Sequence, residues 1–377
     1  VAALALLMVT SASAANRGID FIPMGFYDFN DPNILPYSAG WQITADGSYM
    51  TGVPSPYGGC MSWTKETGWE MISLDNASIC YINDDGSEMS SEIYDANGFN
   101  VTARWDGTQW VEIDTSPYPN APCDFNQLGN HGGISGDGST IGGLYWDGCS
   151  YARGYSTDAS GFTILEGPRD DSSRVNALNY DGSVAAGWTR IDWGGWFSTR
   201  WTDGVAEWWP GDGGGDPNIF IGETRALTND GQMAVGDPHP YPAGFAGEGW
   251  IEGANGFQST GAFAWGWFTD SGLNIDLTED GTMAVGRFGF GPFSVATIWT
   301  EATGLIDMNQ FLIDQGRTEV FEGWVLNMIT SVSHDGSVIA GYGANPDRWT
   351  EGFVIDMSKV SVCHAPGGDT SKARTLM

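Results

Sequence analysis

Leu277-Thr278-Glu279-Asp280-Gly281-Thr282-Met283-Ala284-Val285-Gly286 reads as the end of one strand, a tight hairpin and a second strand. Glycine after Asp supplies the positive-φ position of the turn, and the Thr278 hydroxyl is placed to bond turn backbone. Met283 to Val285 are small and apolar, as a packed strand requires, and Gly286 permits a bend or a close approach of backbone. The same columns return at Asp46, Asp85, Asp137, Asp181, Asp230 and Asp335, each followed by glycine. An aliphatic residue stands three places before every Asp (Ile43, Ile82, Ile134, Leu178, Leu227, Leu277, Val332) and a small polar one two places before (Thr44, Asn83, Ser135, Asn179, Thr228, Thr278, Ser333). Beyond the second strand comes glycine again, at Gly52, Gly143, Gly187, Gly236, Gly286 and Gly341, with Ser91 in the Asp85 copy.

Seven copies at a spacing of roughly 50 residues fall in the window of propellers and related arrays. Each copy continues into a third strand with an aromatic residue (Trp63, Trp105, Tyr155, Trp201, Trp250, Trp299, Phe353) and a fourth that opens with glycine, as at Gly68, Gly161 and Gly304. No helical period is read anywhere. The expected fold is therefore all-β, a seven-bladed β-propeller of four-stranded blades. The last copy ends near Met357 without a fourth strand, whereas Gly18-Ile19-Asp20-Phe21-Ile22 carries that pattern. The N-terminal strand, about residues 18–22, is thus expected to join the last blade and close the ring, which leaves no sheet edge open.

The expected organisation is a signal peptide over residues 1–14, a repeat domain over 15–357 and a tail over 358–377. The first segment is an apolar run ending in Ala12-Ser13-Ala14, a pattern of signal-peptidase cleavage. Because no basic residue precedes that run, the natural start is expected to lie upstream. No other segment has the length and apolarity of a transmembrane helix. A secreted, extracellular or cell-surface location follows from that leader.

A net charge of −32, from 47 acidic and 15 basic residues, argues against nucleic-acid partners, which need clustered Lys and Arg on phosphates. The charge fits solubility in an extracellular medium, or structural calcium at clustered loop carboxylates such as Asp28 with Asp31 and Asp212 with Asp216. Neither pair follows the spaced-oxygen order of an EF-hand loop, and no other cofactor is implied. Five cysteines in an exported chain indicate disulfides, with Cys60 to Cys80 and Cys123 to Cys149 as the expected pairs and Cys363 left over.

The repeated Asp46, Asp85, Asp137, Asp181, Asp230, Asp280 and Asp335 serve the blade turn rather than catalysis, because a residue present in every blade serves the blade. The chain has no Gly-x-Ser-x-Gly elbow, His-Glu-x-x-His or haem-attachment motif. Its four histidines share no ligand spacing, and His334 merely precedes the last turn. The residues that break the repeat are aromatic: Trp188, Trp193, Trp196, Trp208, Trp209, Trp265 and Trp267. They form either packing between blades or a flat platform for sugar rings or a surface protein. The functional expectation is an exported, non-enzymatic propeller that binds or scaffolds at the cell surface or extracellular matrix. The alternative is a carbohydrate-active enzyme, glycosidase or lyase, with its site at the axial mouth.

The repeat resembles the HAF-repeat family of bacterial extracellular proteins, which pairs a Ser-x-Asp-Gly-Ser-x-x-x-Gly hairpin with an Ala-Phe-x-Trp-Thr strand and a Gly-x-x-x-Leu strand. Here the third strand reads Ala103-Arg104-Trp105 or Thr199-Arg200-Trp201, without the His-Ala-Phe tripeptide. The resemblance implies a secreted β-propeller-like fold. The tail, Val362-Cys363-His364-Ala365-Pro366-Gly367 followed by Ala373-Arg374-Thr375-Leu376, resembles a Val-Cys-His-x-Pro motif at the ends of some bacterial secreted proteins.

Overall fold

The structure, a computed structural model, describes residues 18–29, 34–55, 58–73, 77–94, 96, 100–113, 127–146, 152–168, 172–191, 195–208, 222–237, 249–253, 256–261, 272–289, 294–317 and 322–358. The first strand, β1 (Asp20–Pro23), stands apart from the blade that follows it in sequence. Blade 1 holds β2 (Ala39–Ile43), β3 (Met50–Val53), β4 (Cys60–Thr64) and β5 (Gly68–Ser73). Blade 2 holds β6 (Ala77–Ile82), β7 (Met89–Tyr94), β8 (Asn100–Trp105) and β9 (Trp110–Glu112). Blade 3 holds β10 (Gln127–Ile134), β11 (Ile141–Trp146), β12 (Ala152–Asp158) and β13 (Gly161–Leu165). Blade 4 holds β14 (Ser173–Leu178), β15 (Val184–Ile191), β16 (Gly195–Thr202) and β17 (Val205–Trp208). Blade 5 holds β18 (Glu223–Leu227), β19 (Ala234–Asp237), β20 (Gly249–Gly253) and β21 (Gly256–Gly261). Blade 6 holds β22 (Gly272–Leu277), β23 (Met283–Phe288), β24 (Val295–Thr300) and β25 (Gly304–Asp307). Blade 7 takes β26 (Val325–Val332), β27 (Val338–Ala344) and β28 (Thr350–Asp356) from the end of the chain, and β1 as its fourth strand.

Every sheet is four-stranded and antiparallel, and the first strands of successive blades touch around a closed ring, so they line the axis. The molecule is a seven-bladed β-propeller. β1 closes it, with Asp20 opposite Asp356 and Pro23 opposite Phe353. Phe21 stacks on Phe353 at 5.8 Å between centroids and meets Trp324 edge-on at 5.3 Å, inside a core that also holds Ile19, Leu326 and Ile355. Burial of these side chains supplies the closing force, since an open β28 would leave apolar edge in water. A seven-residue helix, α1 (Met308–Asp314), joins blades 6 and 7 and corrects the expectation of no helix. Asp307 caps it by accepting from the Asn309 amide, while Met308 and Leu312 pack into the blade-7 core.

The hairpins show why the four sequence columns are kept. In blade 6 the Asp280 carboxylate accepts from the Thr278 hydroxyl at 2.8 Å and the Thr282 amide at 3.0 Å, and Thr278 Oγ1 accepts from the Met283 amide at 3.1 Å. The residue two before each Asp donates to it in all seven blades. The later glycine has a different cause. Each first strand carries a register shift before its turn, as between Asn274 and Asp276, which pushes its backbone toward the second strand. A Cβ on Gly286 would collide with the Leu273 carbonyl oxygen. In blade 2, Ser91 is accommodated instead, and its hydroxyl donates to the Ile79 carbonyl at 3.0 Å.

Candidate functional site

The two ends of the ring differ because of how strands are joined. Turns between first and second strands, and between third and fourth, emerge at one end; the longer connections between second and third strands, and from blade to blade, emerge at the other. At the tight-turn end, the residue just before each repeated Asp faces its neighbours around the axis: Ala45, Asp84, Gly136, Tyr180, Asn229, Glu279 and His334. These turns are stitched into a collar. The Ala45 amide donates to the Asp84 carbonyl (2.9 Å), Asp84 to Gly136 (3.0 Å), Asp137 to Tyr180 (2.8 Å) and Tyr180 to Asn229 (3.1 Å). Glu279 then donates to His334 (3.0 Å) and His334 to Ala45 (2.9 Å), while the Asn229 amide meets the Glu279 carboxylate at 2.9 Å.

Side chains cross the opening as well. Asn229 Nδ2 donates to Asp84 Oδ2 at 2.7 Å, from blade 5 to blade 2, and His334 Nε2 lies 3.7 Å from Asp84 Oδ1. Burial raises the Glu279 carboxyl above the usual range, opposed by the Asn229 amide and by the His334 charge. Gly136 has to be glycine here, because a Cβ would come within 2.7 Å of the Tyr180 ring and 2.8 Å of Asp84 Oδ2. Tyr180 is left 48% exposed at the rim.

Deeper along the axis the bulged first strands present a second polar layer. Arg225 is clamped by Asp237, at 3.1 Å from Nε and 3.0 Å from Nη2, and by Glu223 at 2.5 Å. Burial pushes the Asp237 carboxyl up to about 6, although Arg225 pulls it down. Asn176 reaches from blade 4 to blade 5, its Nδ2 donating to Glu223 Oε2 and to the Thr224 carbonyl, both at 2.8 Å. Tyr81, on blade 2, has its hydroxyl pKa raised by burial, while the charges of Arg174 on blade 4 and Arg225 on blade 5 act to lower it. That coupling crosses the axis. Asp276 accepts from the Ser331 hydroxyl at 2.7 Å and the Val332 amide at 3.0 Å, yet burial still raises it. Arg174, two places before Asn176, pairs with no carboxylate among the described residues, and its Nε and the Asn176 Oδ1 are buried without a partner.

No protein-family model and no curated protein matches the chain. Solved structures do match it in shape. The β-propeller domain of the Trilobed protease from Pyrococcus furiosus aligns with a TM-score of 0.52 at 10% identity, over 84% of this chain and 95% of that one. The Cps50 (Swd1) β-propeller domain of Myceliophteria thermophila aligns with 0.51 at 9%, over 85% and 97%. TolB from Acinetobacter baumannii aligns with 0.46 at 12%, over 71% of this chain, which spans 62% of that structure's length. The likeness is one of fold alone.

The residues singled out in the sequence divide as follows. Trp188 is buried at the junction with blade 3, beside Leu144 and Ala152, and stacks on Trp196 at 5.0 Å and 14°. Trp196 is 37% exposed, and Trp208 packs on Phe197 at 5.5 Å. Trp193, Trp209, Trp265 and Trp267 lie outside the described residues, as do Asp31, Asp212 and Asp216, the expected partners of a calcium site; Asp28 is exposed. Cys60 and Cys80 form a disulfide that ties β4 of blade 1 to β6 of blade 2, whereas Cys123, Cys149 and Cys363 lie outside the described residues. Neither axial layer was anticipated. The signal for the collar was present, since one column stays variable and mostly polar between constant neighbours, but only the ring shows that those residues meet.

Proposed function

We propose that this chain is an exported propeller that binds or scaffolds, using the end of the ring from which the long connections leave. The observation that carries the reading is the asymmetry of the axis. At the tight-turn end Asp84 and Glu279 accept bonds from Asn229, so both carboxylates serve to hold blades together. A glycosidase or lyase at that mouth needs one carboxyl group free to donate a proton and a second group free to act as nucleophile or base. The opposite end gathers the features that depart from the repeat, among them the stacked Trp188 and Trp196, whose exposed ring offers an apolar surface suited to a sugar or a protein side chain. Export is supported by the leader-like residues 1–14 and by the HAF-repeat resemblance. A glycan array combined with a hydrolysis screen on the same glycans tests the reading. Binding without turnover, weakened by Trp196→Ala in a protein that still folds, is the expected result; release of shortened sugars assigns the site to an enzyme.

A further inference from the structure

Within a chain of net charge −32, one cation beside the axis has no carboxylate partner among the described residues. Arg225 has two carboxylates on it, but Arg174, on the neighbouring first strand, has none among the described residues. The direction of its side chain follows from the strand. Val175 packs toward blade 3, against Gly142, so Arg174 and Asn176, on the other side of β14, face blade 5. Their unpaired atoms are complementary. Among the described residues Arg174 Nε is a donor lacking an acceptor, and Asn176 Oδ1 is an acceptor lacking a donor. Buried polar atoms without partners are rare in folded proteins, and two complementary ones on one face of a strand call for a common partner.

We propose, resting on the ligand-binding reading above, that Arg174 and Asn176 form the recognition point for a sugar acid, the guanidinium taking its carboxylate and the amide oxygen taking a ring hydroxyl. The guanidinium fork matches a carboxylate in geometry and charge. A hydroxyl completes Asn176, whose amide nitrogen is already spent on Glu223 and the Thr224 carbonyl. Trp41 and Tyr81, half-buried and hydrogen-bonded to each other, lie on the first strands of blades 1 and 2, with Tyr81 within reach of the Arg174 charge. The negative charge of the whole protein does not forbid an anionic ligand. At physiological ionic strength exposed charges beyond about 8 Å are largely screened, and close by Arg174 offsets the excess of the two carboxylates held on Arg225, so the site itself is not negative.

The test is calorimetric titration of the full chain with galacturonate and glucuronate oligomers, their methyl esters and the corresponding neutral oligomers. The acids are expected to bind, and the esters and neutral sugars to bind roughly 10- to 100-fold more weakly, the loss of one charge-assisted contact. Because the ester comparison leaves the protein untouched, it stands even where a variant misfolds. Arg174→Gln is expected to abolish the preference for acid over ester, and Arg174→Lys to keep part of it, with thermal midpoints confirming that each variant folds. Equal affinity for acids and esters, or a preference that survives Arg174→Gln, overturns the proposal while leaving sugar binding as such intact. Absence of binding to every sugar overturns the sugar-acid proposal and the glycan arm of the binding reading, and leaves a protein partner as the occupant.

Discussion

Phe21→Ala removes the largest anchor of the strand that closes the ring. The side chain is 6% exposed and held between Phe353 and Trp324. Truncation of a buried Phe costs about 3–5 kcal/mol, against a total stability of about 5–15 kcal/mol for a typical domain. At roughly 2–4 °C per kcal/mol for larger domains, the melting midpoint should fall by about 6–20 °C. The loss concentrates at one place: β1 is held to the ring by its ladder with β28 and by Ile19, Phe21 and Met24, all buried. Once β1 detaches, β28 becomes an exposed edge with an apolar face, so aggregation should accompany unfolding. The assay is thermal and urea unfolding beside Val205→Ala, a control at a side chain 72% exposed that should change stability by no more than about 0.5 kcal/mol. A paired truncation adds a second arm: removal of residues 1–14 should be harmless, and removal of 15–24 should aggregate. If Phe21→Ala unfolds at the midpoint of Val205→Ala, or if both truncations stay equally soluble and stable, the closing role of β1 is refuted.

Gly286→Ala should cost at least as much as a core truncation, about 2–5 kcal/mol, because the Leu273 carbonyl must move and the bulge with it; near-wild-type denaturation would show that the bulge is soft. Mass mapping of oxidised protein should recover the Cys60–Cys80 link and, as its expected companion, Cys123–Cys149, and a different partner for Cys60 would contradict the joint between blades 1 and 2. Trp188→Ala should destabilise by about 3–5 kcal/mol as a buried packing residue, whereas Trp196→Ala should cost less and reveal itself in ligand binding instead. For pH dependence, hydrogen bonds from Ser183 hold the Asp181 carboxyl below its ordinary value, so its contribution is complete above that value and is lost as pH falls through the lowered pKa. Burial raises Asp237 from 3.8 to about 6, so its contribution is present below 3.8 and lost as pH rises through about 6; Asp237→Asn should therefore flatten the stability profile between those limits, and an unchanged slope in equilibrium unfolding would reject the assignment.

The sequence by itself determined the blade, the number of blades and the way the ring closes. Those depend on local chemistry repeated in register: Asp280 and Thr278 satisfy a turn, Gly281 takes the turn's positive φ, and the apolar triplets of the second strands can be buried only by stacking against neighbours. The missing fourth strand at one end and the spare strand at the other could be matched from pattern alone, because a sheet edge must be covered. What surrounds the axis was decided by tertiary structure. Asp84, Asn229 and His334 are far apart in the chain and differ in type at one column of the repeat, and they meet because three blades converge at one point. The same holds for Arg174, which looks like an ordinary strand arginine until the neighbouring blade shows that Glu223 and Asp237 are occupied by Arg225. Repeat columns report what every blade needs; the ring brings together the residues in which the blades differ, and charge and hydrogen bonding act between those residues only once the ring has closed.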